Sequence, residues 1–172
     1  MVGAHRGDGG AGQGGGDLHE LPGGQLLCCL CEAARVHHRT EEYPSLETLR
    51  SDITCGKGYA VKVDGAVAGY LCIDFDGEPA YDTIDGAWRT KGPYAVVHRM
   101  AFDRAFRGVG LADATFSRIE ALCGARGVRN IRVDTDFTNL RIRHVLEKNG
   151  FVRCGVVVFQ GSGKIAYDKI LT

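Results

Sequence analysis

The sequence predicts a mixed α/β domain, a sheet covered by helices. Three observations carry this. Asp64-Gly65 stands between two strand-like runs, Tyr59 to Val63 and Val67 to Phe75, and marks a tight hairpin. Two later segments, 110–126 and 139–149, have helical periodicity, and each is followed by a strand-like run. The full order reads helix, helix, hairpin, strand, helix, strand, helix, strand, strand, with no internal repeat.

From Gln25 to His38 the apolar positions Leu26, Leu27, Leu30, Ala33, Ala34 and His37 fit one helical face. A second helix starts after Pro44 with Ser45 as its N-cap and runs through Leu46, Leu49 and Ile53. The hairpin follows. Residues 76–92 read as a loop with Gly77, Pro79, Gly86 and Gly92, yet they carry Tyr81, Ile84 and Trp88. Aromatics in a long loop form either a lid over a pocket or a cover over a sheet, and the sequence leaves both open. Tyr94 to Phe102 is a long strand. Gly110 to Arg126 is a helix with Leu111, Thr115, Ile119 and Leu122 on one face. Val128 to Asp134 is a strand. Asn139 caps the next helix, Ile142, Val145 and Leu146 face inward, and Gly150 stops it. Phe151 to Phe159 and Lys164 to Leu171 are the last strands, joined through Gly161-Ser162-Gly163.

Length and charge narrow the function. The chain has 172 residues, near the size of one domain, with 21 basic and 21 acidic side chains. Zero formal net charge argues against a general nucleic-acid coat or a polybasic membrane binder. No apolar run approaches the roughly 18 residues of a spanning helix, and the residues after Met1 lack a signal-peptide core. Eight of the 25 glycines fall in the first sixteen residues, so 1–16 is expected to be a flexible tail and 17–172 a single domain. Seven cysteines without an export signal read as free thiols in a reducing cytoplasm. The competing reading is a metal cluster at Cys28, Cys29 and Cys31 with His37 and His38. Their apolar setting and the lack of a second cysteine pair favour core packing, so no metal is expected.

The segment that carries chemistry runs from His98 to Ala112. A strand ends, a short basic turn follows, and a helix starts at Gly108 and Gly110. Such a turn offers backbone N–H groups and the positive end of a helix, and its glycines let a ligand approach the backbone. Together these features make a pyrophosphate cradle. The turn lacks the Gly-Lys-Ser/Thr of a Walker loop and the third glycine of a dinucleotide fingerprint. An ordinary tight connection fits the turn equally if it stands alone.

Arg107-x-x-Gly110-x-Ala112 resembles the Arg/Gln-x-x-Gly-x-Gly/Ala motif of the GCN5-related N-acetyltransferase (GNAT) family. Asn139-x10-Gly150-Phe151 resembles the second half of that pattern. The resemblance runs from about residue 25 to 172. It implies a mostly antiparallel sheet whose central parallel strand pair splays apart, with acetyl-CoA lying in the gap as co-substrate. It further implies that Met100, Ala101 and Phe102 pair with the pantetheine arm and that Arg107, Gly108, Val109, Gly110, Leu111 and Ala112 hold the pyrophosphate. Asn139 would contact the arm from the other side. The sequence departs from the pattern at Leu146, where the family often has a tyrosine that protonates the leaving thiolate. The family's opening strand would fall in the glycine-rich tail.

Acetyl transfer to an amine requires proton removal, oxyanion stabilisation and a thiolate that is protonated or tolerated. His98, placed two residues before Met100 and read as sharing its face, is the expected base. The N–H of Met100 would serve the oxyanion. Tyr167 and Tyr94 are the candidate acids, and Tyr81, Trp88, Asp134 and Asp136 the candidate acceptor contacts. Arg99 is read as structural. The expected function is a cytoplasmic acetyl-CoA-dependent acyltransferase acting by direct attack on a small-molecule primary amine, with a homodimer compatible. Protein N-terminal or lysine acetylation is the alternative within the same chemistry. A non-catalytic acyl-CoA-binding module is the alternative of another class.

Overall fold

The computed structural model describes residues 19–20, 25–29, 45–106 and 108–172. The expected tail 1–16, together with Cys31, His37, His38 and Arg107, lies outside the described residues. In chain order the elements are β1 (His19–Glu20), β2 (Gln25–Cys29), α1 (Leu46–Thr54), β3 (Gly58–Val63), β4 (Ala66–Asp74), β5 (Ile84–Gly86), β6 (Ala95–Phe102), α2 (Leu111–Ala125), β7 (Asn130–Thr135), α3 (Leu140–Lys148), β8 (Val152–Phe159) and β9 (Ser162–Ile170). The strands form one mixed sheet in the order β1-β2-β3-β4-β6-β7-β9-β8-β5. Strands β6 and β7 run parallel, and the other pairs are antiparallel.

Local chemistry accounts for the helix starts. Ser45 accepts the N–H of Thr48 at 3.1 Å to open α1, and Asn139 accepts the N–H of Ile142 at 3.2 Å to open α3. Gly150, at φ +80°, ends α3 in the left-handed conformation that glycine adopts without strain. Alternation along β6 separates two cores. Ala95 and Val97 join the larger one, with Leu111, Phe116 and Ile119 of α2 and Leu146 of α3. Val96 joins the smaller one with Tyr81, Val157 and Ala166.

Two expectations are corrected. The helix read from Gln25 onward is a strand over Gln25–Cys29, paired from Gln25↔Val63 to Cys29↔Tyr59. Five apolar-rich residues suit either element by periodicity, and the unpaired edge of β3 decides between them. The loop 76–92 also has more structure than expected. It contains a 3-10 turn at Pro79–Tyr81 and strand β5, which pairs with β8 at Ile84↔Val157 and Gly86↔Gly155. The two backbones are so close there that a Cβ on Gly86 would stand 2.2 Å from the carbonyl oxygen of Cys154. Of the two readings left open for the loop aromatics, cover over the sheet is the one observed. Tyr81 is 1% exposed and packs on Trp88 at 5.1 Å between ring centroids.

Candidate active site

The parallel strands β6 and β7 pair only at Ala95↔Ile131 and Val96↔Arg132. Beyond these positions they diverge, and the sheet opens at its centre. On its other side β6 departs from regular pairing with β4. Tyr70 faces Ala101 and Cys72 faces His98, so three steps along β6 match two along β4. Arg99 sits in this bulge at φ +55°, a left-handed conformation that costs a non-glycine residue about 1–3 kcal/mol. Its guanidinium meets Asp52 of α1 through two contacts, Nε to Oδ2 at 2.8 Å and Nη2 to Oδ1 at 2.6 Å. Tyr70 donates to the same carboxylate at 2.8 Å. This buried cluster holds the bulge. The structural reading of Arg99 agrees with this placement.

The bulge corrects the placement of His98 and Met100 on one face. Met100 packs against the core beneath α2, whereas the His98 ring stacks on Phe159 at 5.5 Å and lies 6.5 Å from Tyr81. Strict alternation fails here because the extra residue reverses the facing of everything after it.

Two cavities occupy the splay. One, of about 310 Å³, is lined by His98, Arg99, Met100, Asp134, Asp136, Asn139, Phe159 and Lys164, among others. The other, of about 450 Å³, is lined by Phe102, Gly108, Gly110, Leu111, Ala112, Arg141, His144 and Lys148, among others. Met100, Asn139 and Ile142 border both, so the two cavities adjoin along the opened sheet.

In the first cavity, Asp134 accepts a 2.7 Å hydrogen bond from the Tyr81 hydroxyl. Burial raises the Asp134 carboxyl above its ordinary range, while the Tyr81 bond and the His98 charge oppose the rise. Burial lowers His98 below its ordinary value, and nearby Asp134 and Glu78 oppose that fall. Buried in this way, His98 is favoured as neutral imidazole, the form that accepts a proton. Lys164 pairs with Asp136 at the rim.

The second cavity has the features of a phosphate site. Gly108 at φ +80° and Gly110 at φ +74° hold the turn, and open space surrounds the position of a Cβ at either. Gly110 caps α2 without a side-chain bond, leaving the first-turn amides of the helix uncapped. Arg141, His144 and Lys148 face the turn from α3. Their spacing of three and four residues puts them on one helix face. Uncapped amides, left-handed glycines and the basic side chains of Arg141 and Lys148, the latter ion-paired with Asp113, fit the pyrophosphate of a CoA-type molecule.

Some expected site residues are elsewhere. Tyr167 is fully buried in the larger core, with its hydroxyl 3.2 Å from Glu147, and it lines neither cavity. Leu146 is likewise buried there. Trp88 donates to the carbonyl of Tyr81 at 2.9 Å and covers the guanidinium of Arg132 at 4.2 Å. It supports Tyr81 and lines neither cavity. Tyr94 stacks on Tyr81 at 6.3 Å.

The sequence profile described as "Acetyltransferase (GNAT) family" matches residues 26–151. The chain belongs to the GNAT acetyltransferase family. A GNAT-family acetyltransferase from Streptococcus agalactiae is 31% identical, with a TM-score of 0.69 over 78% of this chain and 76% of that one. A putative acetyltransferase from Staphylococcus aureus is 26% identical, with a TM-score of 0.58 over 76% and 82%. The aminoglycoside acetyltransferase AAC(6')-Ib, solved with coenzyme A, shares the fold at 23% identity and a TM-score of 0.51, over 66% of this chain and 65% of that one. No curated protein sequence matches. In this GNAT acetyltransferase the sequence reading missed Glu78, Asp52 and the basic residues of α3. Only the α3 residues left a legible signal, because Arg141, His144 and Lys148 repeat at helical spacing. Glu78 and Asp52 meet the site through contacts distant in sequence.

Proposed function

We propose that this protein transfers the acetyl group of acetyl-CoA to the primary amine of a small molecule by direct attack. The observation that supports this most is the meeting of the two cavities at Met100 and Asn139. A ligand anchored by phosphates at the glycine turn would extend along β6 and end beside His98 and Asp134. Bound acetyl-CoA supplies an activated acyl group as a thioester. Gly108 to Ala112 hold its phosphates through backbone amides, with Arg141, His144 and Lys148 opposite. Met100, Ala101 and Phe102 pair with the extended arm from one side, and Asn139 contacts it from the other. The Met100 N–H stabilises the developing oxyanion. Asp134 draws the cationic acceptor into the first cavity, and Tyr81, backed by Trp88, orients that carboxylate. His98 takes the ammonium proton directly or through one water, so that the free amine can attack.

Free-thiol release from acetyl-CoA, measured against a panel of small amines, tests the proposal. At least one amine is expected to give turnover, and His98→Ala is expected to lower it by about 10² to 10⁴ with little change in acetyl-CoA affinity. Binding of acetyl-CoA with no thiol release for any small amine, peptide N-terminus or lysine peptide would instead identify an acyl-CoA-binding module.

A further inference from the structure

Glu78 belongs to the loop between β4 and β5, remote in sequence from the glycine turn and from both motif segments. One oxygen of its carboxylate is hydrogen-bonded and the other faces the His98 ring. Oε1 accepts the N–H of Ala80 at 3.1 Å, and Oε2 stands 3.5 Å from Nε2 of His98. The backbone N–H of Glu78 donates to the Tyr94 hydroxyl at 3.2 Å. The loop carrying it is pinned at further points. Tyr81 reaches Asp134, Trp88 reaches the Tyr81 carbonyl, and the Arg89 guanidinium lies against the fully buried Asp168. A loop carboxylate is ordinarily free to swing into water. This one is held, and its partner ring is held too, stacked on Phe159 of β8. The His98 side chain is 9% exposed and that of Glu78 20%, so solvent screens the pair far less than a surface pair.

We propose that Glu78 is a positioning residue, whose carboxylate orients the His98 ring with its hydrogen on Nε2 and leaves the Nδ1 lone pair to accept the acceptor's proton. This rests on the reading of His98 as the base. In the step, an N–H bond of the acceptor ammonium breaks and its proton joins Nδ1; the freed electron pair of the amine forms the new N–C bond, the C–S bond of the thioester breaks, and the leaving thiolate takes up the second proton that the nitrogen sheds as it becomes an amide. The ring becomes an imidazolium between carboxylates, and Glu78 stabilises that form. The other charged or titratable groups acting on His98 are Asp134 of β7, Asp74 of β4, Tyr81 of the loop and Arg99 of β6 itself. The carboxylates favour the charged ring. Arg99 and burial oppose it.

Glu78→Gln keeps an oxygen for the Ala80 amide and removes only the charge, so the loop is expected to stay in place. Nitrogen-15 NMR of the histidine rings reads the result without reference to turnover. In the unmodified protein, neutral His98 is expected as the Nε2–H tautomer. In Glu78→Gln its pKa is expected to fall by about one unit or more. The acid limb of the kcat–pH profile should move down with it, and Glu78→Asp should restore part of the shift. Acetyl-CoA affinity should stay unchanged. An Nδ1–H tautomer in the unmodified protein, or a His98 titration indifferent to Glu78→Gln, overturns the proposal. Full turnover in His98→Ala overturns the base reading instead, and the NMR titration then still decides whether Glu78 holds the ring.

Discussion

The Tyr81 hydroxyl donates a 2.7 Å hydrogen bond to Oδ2 of Asp134, joining residues 53 positions apart. This bond fastens the β4–β5 loop to the end of β7, at the mouth of the splay. It gives the Asp134 carboxylate a donor where water is largely excluded. Tyr81→Phe removes the donor and keeps the ring. Leaving a half-buried carboxylate short of one partner costs about 1–3 kcal/mol. Urea unfolding should show that loss of stability, and the Asp134 carboxyl should titrate higher still, because the bond from Tyr81 is the largest of the influences that oppose its rise.

Gly110→Asp is expected to abolish the thermal stabilisation conferred by acetyl-CoA, because it places a negative charge at the phosphate turn. A ligand that binds only the folded state raises its melting temperature by mass action, so a thermal shift measures the loss directly. Gly110→Ala is the control. Its Cβ enters open space, and the positive φ alone costs about 1–2 kcal/mol. It should weaken stability more than it weakens CoA binding.

Arg141→Ala and His144→Ala should each weaken CoA binding and leave the fold intact, since both side chains line the second cavity from exposed positions on α3. Pantetheine, which lacks the phosphates, should bind both variants as it binds the parent protein. Calorimetry at two salt concentrations separates the contributions, because the charge-dependent part falls as ionic strength rises.

Asp52→Ala should be among the most destabilising single substitutions. It strips the Arg99 guanidinium and the Tyr70 hydroxyl of a shared, nearly buried carboxylate. Breaking a buried pair by removing one partner costs on the order of 3–5 kcal/mol. Because that pair holds the β6 bulge, acetyl-CoA affinity should fall along with stability in the same unfolding and binding measurements.

Stability should depend on pH through His98 and Asp134, with opposite signs. Burial lowers His98 from its ordinary value of 6.5, so below that pH the unfolded chain takes up a proton first. Stability is therefore lost as pH falls from 6.5 toward the folded value. Burial raises Asp134 above 3.8, so the folded chain binds that proton first. Its contribution to stability grows as pH falls from the folded value toward 3.8. Melting temperatures of His98→Gln measured across this range should show the loss just below 6.5 reduced.

The elements whose ends are encoded locally were legible in the sequence. Ser45, Asp64-Gly65, Asn139 and Gly150 each act within a few residues through a cap, a turn or a positive φ, and all stand where they were read. The GNAT pattern was legible for the same reason, since a glycine turn before a helix is a local backbone device. The strand at Gln25–Cys29, β5, the bulge at Arg99 and the contact of Glu78 with His98 depended on tertiary structure. Periodicity in Gln25–Cys29 suits two elements, and the open edge of β3 selects one. At the bulge Arg99, in a strained conformation, meets Asp52, 47 residues away in sequence. Faces beyond an inserted residue cannot be counted from strict alternation, so His98 and Met100 were read onto one face and lie on different faces, although both border the first cavity. Local chemistry determined where strands and helices begin and end. The pairing of distant backbone edges and buried charges decided which side chains share the cavities.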